Sequence, residues 1–546
     1  MSRVNHQVLA GLALGLLTIA LVAPACSPSK ELGVAETAPP GTSRLWGEHG
    51  ELWSPAGRLP DFSYAGYHAG ETPIPEVPVK ANVRDFGAVG DGVTDDSRAF
   101  LEAIAAASDG AVFIPDGRYL LTEVLAIHKS RIVLRGESRD STILYFPKTL
   151  HETLGRGHDG GPTGWSWGGA WIWVNPDRER GDSNGPVWDE GVLLSRIASA
   201  SSKGETSVEV SDTSGIEAGQ LVRLVQYESD GSLSLTLHDG HALNGRCILD
   251  RPGQQIINWL LEVKRVEEGR VHFDRPLRVP VRTEWKAELW SSEPGVEEVG
   301  IEHLTVEFPV REYPRHHNEP GQNAISLAAA LNSWVRDVAI LNSDNGILFW
   351  YSRYCTAEEI VIAGRGSHYA FNLGGAQDSL VTRFRLEVES VHDTSFSNVA
   401  NGNVYSWGTG LGINFDHHRG GAFQNLYSQI DVGRLTRQWH SSGTPSGHYT
   451  AAHETFWNIK PKAKTAALTT WPAMNIIGRV DRMHRKGNEW FDAWIEPVHR
   501  LSPADLHAAQ LSRRLGVPIP KRPSMPAPLP EGRAKRHDVS GPEYKG

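Results

Sequence analysis

Histidines, arginines and aromatic residues crowd into one stretch of the chain. Phe415-Asp416-His417-His418-Arg419-Gly420-Gly421 is followed by Arg437, Trp439, His440, His448 and Tyr449. Residues 411–500 hold 11 Lys/Arg against 7 Asp/Glu, with seven His, a local balance of +4 in a chain of net charge −10. Imidazole and phenol groups suit proton transfer near neutral pH. Guanidinium groups clamp carboxylates or sulfates through paired hydrogen bonds, and indole faces stack on sugar rings. Such a set fits an anionic, sugar-like ligand. His417, His418, Arg419 and His440 are the candidates for catalysis, with Arg437, Trp439, His448 and Tyr449 for substrate binding. The competing reading is that these groups hydrogen-bond tight turns. His316 and His317, beside Arg311 and Arg315, form a second pair that could face the same groove. No His-x-His or His-Glu-x-x-His spacing occurs, so no metal ligands are assigned.

The elements that position these residues must come from a Gly- and Pro-rich chain. Gly 56 and Pro 33 make up about 16% of 546 residues, with 18 Trp, which suits many turns and aromatic surfaces better than a helical bundle. Hydrophobic residues at 40% and charged residues at 22% predict a large buried core. An acidic balance excludes a general nucleic-acid binder. Three cysteines exclude a disulfide-stapled scaffold and a four-Cys zinc site.

Residues 1–26 read as an export signal, with Arg3 and His6 before an uncharged apolar run from Val8 to Ala25. Ala23-Pro24-Ala25-Cys26 resembles a bacterial lipoprotein signal, which implies lipidation of Cys26, membrane contact only through that lipid, and a surface or secreted location. Residues 27–80, with seven prolines between Pro39 and Pro78, are expected to be an extended tether.

Val83-Arg-Asp-Phe-Gly-Ala-Val-Gly-Asp-Gly-Val-Thr-Asp-Asp-Ser97 predicts sharp turns, then a helix over about 96–107 capped by Thr94 or Asp95. Gly110-Ala-Val-Phe-Ile-Pro-Asp-Gly-Arg-Tyr119 predicts two strands around a turn. Together these strings resemble the opening of the pectate-lyase-like superfamily over about 83–146. The resemblance implies an all-β, right-handed parallel β-helix with an amino-terminal capping helix. It leaves open a lyase, a polygalacturonase-like hydrolase or an epimerase, because a fold does not set a reaction. Residues 415–419 and 455–459 also resemble a domain that follows this module in bacterial proteins, with no activity implied.

Periodicity supports the same solenoid. Apolar triplets recur at Ile301/Leu304/Val306, Val335/Val338/Ile340, Ala357/Ile360/Ile362 and Val381/Phe384/Leu386. Val338, Ile360 and Phe384 are 22 and 24 residues apart, one coil per repeat, whereas 42 residues separate Phe384 from Leu426. Either a loop or an unrecognised coil fills that gap. The expected divisions are an amino-terminal β-helix part at 81–189, a β-rich insertion at 190–290, coils carrying the active face at 291–500, and a capping helix with disordered tail at 501–546. Gly164-Trp-Ser-Trp-Gly-Gly-Ala-Trp-Ile-Trp173 could be a sugar platform or cover for the solenoid edge.

The leading expectation is an exported polysaccharide lyase acting on an acidic glycan by β-elimination. Lyases of the resembled fold often use Ca²⁺, the one cofactor the resemblance raises, although no compact Asp-x-Asp-x-Asp cluster is present. A hydrolase would use Asp344, in an Asn342-Ser343-Asp344 string that resembles a polygalacturonase element, together with Asp378. A non-catalytic glycan-binding solenoid is the third reading. Oligomeric state is not set by the sequence.

Overall fold

The computed structural model describes residues 41–158, 161–176, 191–241, 252–293, 295–418, 420–434, 439–440, 450–460, 472–478 and 492–530, with only the backbone at 439–440. Among them the chain winds as a parallel β-helix. In chain order, β1 is Gly300–Glu307, β2 Asn323–Ala328, β3 Trp334–Leu341, β4 Asn345–Trp350, β5 Thr356–Ala363, β6 Ser367–Gly374, β7 Leu380–Glu387, β8 Ser390–Ser397, β9 Val404–Gly410 and β10 Phe415–His417. Odd strands belong to a 15-stranded sheet and even strands to an 8-stranded sheet, each strand pairing in parallel with its equivalent one coil away. A third side is reduced to single parallel bridges, Leu331 to Arg353 to Gln377 to Asn401 to Phe423.

The hydrophobic triplets set the register. Leu304, Val338, Ile360 and Phe384 align in one row, as do Val306, Ile340, Ile362 and Leu386. All eight are buried in one continuous core. Stacking like on like removes each apolar residue from water at about 25 cal/mol per Å². The coil missing from the periodicity is β9, where Gly408 and Gly410 take the places of Phe384 and Leu386. A Cβ on Gly408 would stand 2.2 Å from the Phe384 ring, so the large residue of one coil requires none in the next.

The capping helix α1 spans Ser97–Ala106 and buries Ala99, Phe100, Ala103 and Ile104 against the first coils. Its N-cap is Asp96, whose carboxylate instead accepts from the Val89 and Gly90 amides of the preceding loop (2.7 and 3.1 Å). Asp95 accepts from the Ser97 amide at 3.1 Å. Gly90 has φ +72° and would drive a Cβ into Tyr119, 2.8 Å away, which accounts for glycine there.

Residues Leu193–Ser291 break the winding as an antiparallel six-stranded sheet. It has its own core of Val208, Val222, Leu224, Leu261, Val263, Val271 and Leu289. The sheet docks on the third side of the solenoid: Gln377 donates to the Asn258 carbonyl (2.6 Å), and Arg275 and Arg278 hold Asp378 (2.9 and 2.6 Å).

Three expectations about the ends are corrected. Residues 41–80 are not a loose tether. Trp46, Leu59, Phe62 and Ala65 are buried against Val404, Leu426, Trp457 and Ile477 from successive coils, because the outer face of those strands is itself apolar. The second helix, α2 (Leu506–Leu515, capped by Asp505), packs Leu506 and Ala509 into that cluster, so it lies along the coils and not over their end. Part of the expected disordered tail is also packed, with Leu529 against Ala339, Leu341, Val361 and Ala363. Residues 531–546 lie outside the described residues, as do 1–40.

Candidate functional site

Parallel pairing in register turns the outer face of the 8-stranded sheet into rows of stacked side chains. One row runs Ser326, Leu348, Asn372, Ser395, Asp416. Leu348, Trp350, Tyr369 and Ala328 form an apolar cluster separate from the interior, with Trp167 and Tyr351 packed on it. Trp350 lies flat over Gly374, where a Cβ would meet its ring at 2.2 Å. Of the four clustered tryptophans, Trp165 and Trp171 are core residues, while Trp167 belongs to this face.

Five histidines gather at one end of the face. His368 lies near the start of β6, His392 lies one coil on in β8, and His418 follows β10; His316 and His317 come from the loop after β1. His316 Nε2 faces His368 Nε2 at 3.1 Å. Ring centroids are 5.3 Å apart for His368 and His392, 5.4 Å for His316 and His392, and 4.7 Å for His392 and His418. Tyr369 stacks on both His368 (4.2 Å) and His392 (4.9 Å). Asp416 stands behind the group, one oxygen 3.1 Å from His392 Nδ1 and the other 3.8 Å from His418 Nδ1, and Ser395 donates to it at 2.7 Å. One ring nitrogen each of His316, His368 and His392 lie within 4.8 Å of one another; so do the ligand atoms of His392, Asp416 and His418.

The loop carrying His316 and His317 is fixed from beneath. Buried Glu319 accepts from the Tyr313 hydroxyl (2.6 Å) and the His317 amide (3.2 Å). Burial, with the Asp344 charge nearby, raises the Glu319 carboxyl above its usual range. Arg311 adds a clamp on Glu152. His368 Nδ1 lies 2.9 Å from the Ser166 carbonyl, so the ring donates there and turns its Nε2 lone pair toward His316. Burial, and then the neighbouring His392, His316, His418 and His317, hold His368 well below the ordinary imidazole value. The edge of the cluster is less enclosed: the His418 side chain is 20% exposed.

A cavity of about 200 Å³ lies beside this face, between the insertion and the coils. Asn258, Trp259 and Arg278 line it from the insertion, and Tyr351, Gln377 and Asn401 from the coils. Tyr351 also touches Trp350, at 6.3 Å between rings, so aromatic residues connect the cavity to the histidines.

Three of the expected catalytic residues are elsewhere. His417 is fully buried between Phe396 and Tyr427, with Glu454 3.3 Å from Nε2, because alternation along β10 points it inward when Asp416 points out. Asp344 is enclosed by the Gly321 and Gln322 amides (3.0 and 2.7 Å) and the Arg365 guanidinium. Asp378 is the latch for Arg275 and Arg278. Neither aspartate faces a groove, so they do not form the hydrolase pair. His418, His316 and His317 do come together. Arg419, Arg437, His448, Tyr449 and Cys26 lie outside the described residues, as do the side chains of Trp439 and His440. His368, His392 and Tyr369 were not among the expected site residues. The available signal was the coil period itself, which pairs His392 with Tyr369 and so brings His368 beside them.

Residues 80–158 match the family model described as rhamnogalacturonase A/epimerase, pectate lyase-like. This segment resembles a pectate-lyase-like module. It covers the first coils with α1 and stops short of the histidine face. A stretch of 141 residues is 29% identical to plasmin and fibronectin-binding protein A of Streptococcus pneumoniae, over 23% of this chain and 18% of that protein's length. Among solved structures, the tailspike gp61 of Pseudomonas phage phi297 aligns with 77% of this chain and 67% of its own, at 12% identity and TM-score 0.42. The mannuronan C-5 epimerase AlgE6 A-module of Azotobacter vinelandii aligns with 77% of this chain and 99% of its own, at 11% identity and TM-score 0.35.

Proposed function

We propose that this pectate-lyase-like protein is a carbohydrate-active enzyme that cleaves an acidic polysaccharide by β-elimination. The supporting observation is the concentration of imidazole groups, backed by one carboxylate, beside an aromatic shelf on the outside of the coil stack. A polymer lying across the coils would meet this shelf. His418 is the base: it takes the C5 proton of a uronate, the released electron pair forms the C4–C5 double bond, and the C4–O bond breaks. Asp416, 3.8 Å from His418 Nδ1, stabilises the imidazolium that forms. The leaving oxygen takes its proton from water at the open edge of the cluster, beside His418. Half-buried Trp167 and Tyr351, backed by buried Trp350, offer apolar surface for sugar rings leading toward the cavity.

The test is incubation with a panel of acidic glycans, read by ultraviolet absorbance of the unsaturated uronate and by mass spectrometry of the products. Unsaturated oligosaccharides are expected from the native chain and not from H418A. A non-catalytic glycan-binding solenoid is the second reading, favoured by the match to a streptococcal protein named for binding. Retention of a glycan without any product would establish it in place of the first. Export belongs to the same proposal. C26S is expected to leave the membrane fraction, since a lipid contributes about 0.8 kcal/mol per buried methylene; unchanged partitioning on fractionation refutes the lipid anchor.

A further inference from the structure

We infer that His316, His368 and His392 form a binding site for a divalent transition metal ion of the Zn²⁺ class. Three features of the geometry carry it. First, one nitrogen from each ring falls within a 4.8 Å triangle, and the closest pair, His316 Nε2 and His368 Nε2, is 3.1 Å apart. Two imidazole nitrogens bound to one tetrahedral zinc at 2.0–2.1 Å stand about 3.4 Å from each other. Closing the triangle on an ion therefore needs only small ring movements.

Second, the rings are oriented from behind. The Ser166 carbonyl accepts from His368 Nδ1 at 2.9 Å and leaves Nε2 of that ring as the coordinating atom, while the Asp416 carboxylate stands 3.1 Å from His392 Nδ1 as its charge partner. Carbonyl and carboxylate partners of this kind fix the tautomer of metal-bound histidines and raise their basicity. Third, the donor set is all imidazole, which suits zinc, copper or nickel and not Ca²⁺ or Mg²⁺, whose ligands are oxygens. Three ligands leave further coordination positions, on the side of the partly exposed His316, for water or a substrate oxygen.

The triad is invisible as a motif. His316 and His368 are 52 residues apart, and the solenoid brings them together by placing the loop after β1 against β6. If the lyase reading also holds, the ion would supply the cation that neutralises the uronate carboxylate beside His418; the metal site itself does not depend on that reading.

The full chain, stripped with a chelator, is titrated with Zn²⁺ against a chromophoric indicator, and bound metal is counted by mass spectrometry. One Zn²⁺ per chain is expected. H316A, in a partly exposed loop, is expected to unfold at nearly the native temperature yet bind at least about 10-fold more weakly, with H392A weakened likewise and H418A still able to bind. Absence of stoichiometric uptake overturns the inference, as does unchanged affinity in both H316A and H392A. Loss in H418A with normal binding by H316A overturns it too, by placing the ion on His392, Asp416 and His418. Since none of these readings uses turnover, a metal-binding protein without lyase activity would sink only the enzymatic proposal.

Discussion

Adjacent residues can have opposite roles in a β-strand, and His417 and His418 show this. His418 sits at the open edge of the histidine cluster, so H418A is expected to lower turnover by roughly 10²–10⁴-fold with the unfolding temperature nearly unchanged. His417 packs between Phe396 and Tyr427, so H417A should instead cost about 2–5 kcal/mol in chemical denaturation through the cavity it leaves. The reverse pattern would remove His418 from the proposed chemistry. Acid stability has a residue-scale origin as well. Burial, then the Lys203 and Arg58 charges, depress His453 to about 3. An unfolded chain protonates this ring at about 6.5 while the native chain does not, so its stabilisation is present above that pH and is lost as pH falls toward 3. Buried Asp393, raised to about 7, acts in the opposite sense: its contribution declines as pH rises from about 3.8 to 7. Comparing urea unfolding of H453Q and the native chain at pH 7 and pH 5 isolates the histidine. H453Q should lose less stability on acidification, and equal losses would refute the assignment.

At the scale of elements, the coils are held in register by complementary sizes across neighbouring strands. Gly408 in β9 faces Phe384 in β7, and the hydrophobic rule that marks the other strands is broken only because the phenylalanine ring already fills the space. G408V is therefore expected to destabilise by about 1–3 kcal/mol. Adding F384A should recover part of that loss, a non-additivity that thermal denaturation of the single and double variants measures. Simple additivity would mean the two positions do not share one space. The same stacking makes the histidine face, since a position on β6 meets its equivalent on β8 across a single ladder.

For the whole molecule, segments distant in sequence are bound into one body. The stretch at 41–80 and helix α2 cover the apolar outer face of the coils, with Gln510 bridging the Pro60 carbonyl and the Phe62 amide at 2.8 Å each. Removing residues up to 80 should uncover Val404, Leu426 and Trp457, lower the unfolding temperature and increase binding of a hydrophobic dye. A truncated chain as stable and as dye-inert as the native one would show the cover to be dispensable. The insertion adds the other wall. Its arginines reach Asp378 on the third side of the solenoid, which is why that aspartate serves assembly and not hydrolysis.

The sequence by itself determined the coil architecture, since hydrophobic triplets spaced at one coil length bury only when stacked, and each triplet from Ile301 to Leu386 lies in register as its spacing requires. It also determined the amino-terminal capping helix and the β-rich insertion. Tertiary structure alone decided which polar residues face outward. Asp344, Asp378 and His417 have the residue types of a catalytic set, yet each is enclosed by groups from distant segments: Arg365, Arg275 with Arg278, and Glu454. His368, His392 and Tyr369 carry no local motif and become neighbours because a solenoid places residues one coil apart on adjacent strands about 4.8 Å from each other. Composition and spacing report what is repeated along the chain. Burial and the direction of a side chain depend on what the rest of the chain packs against it.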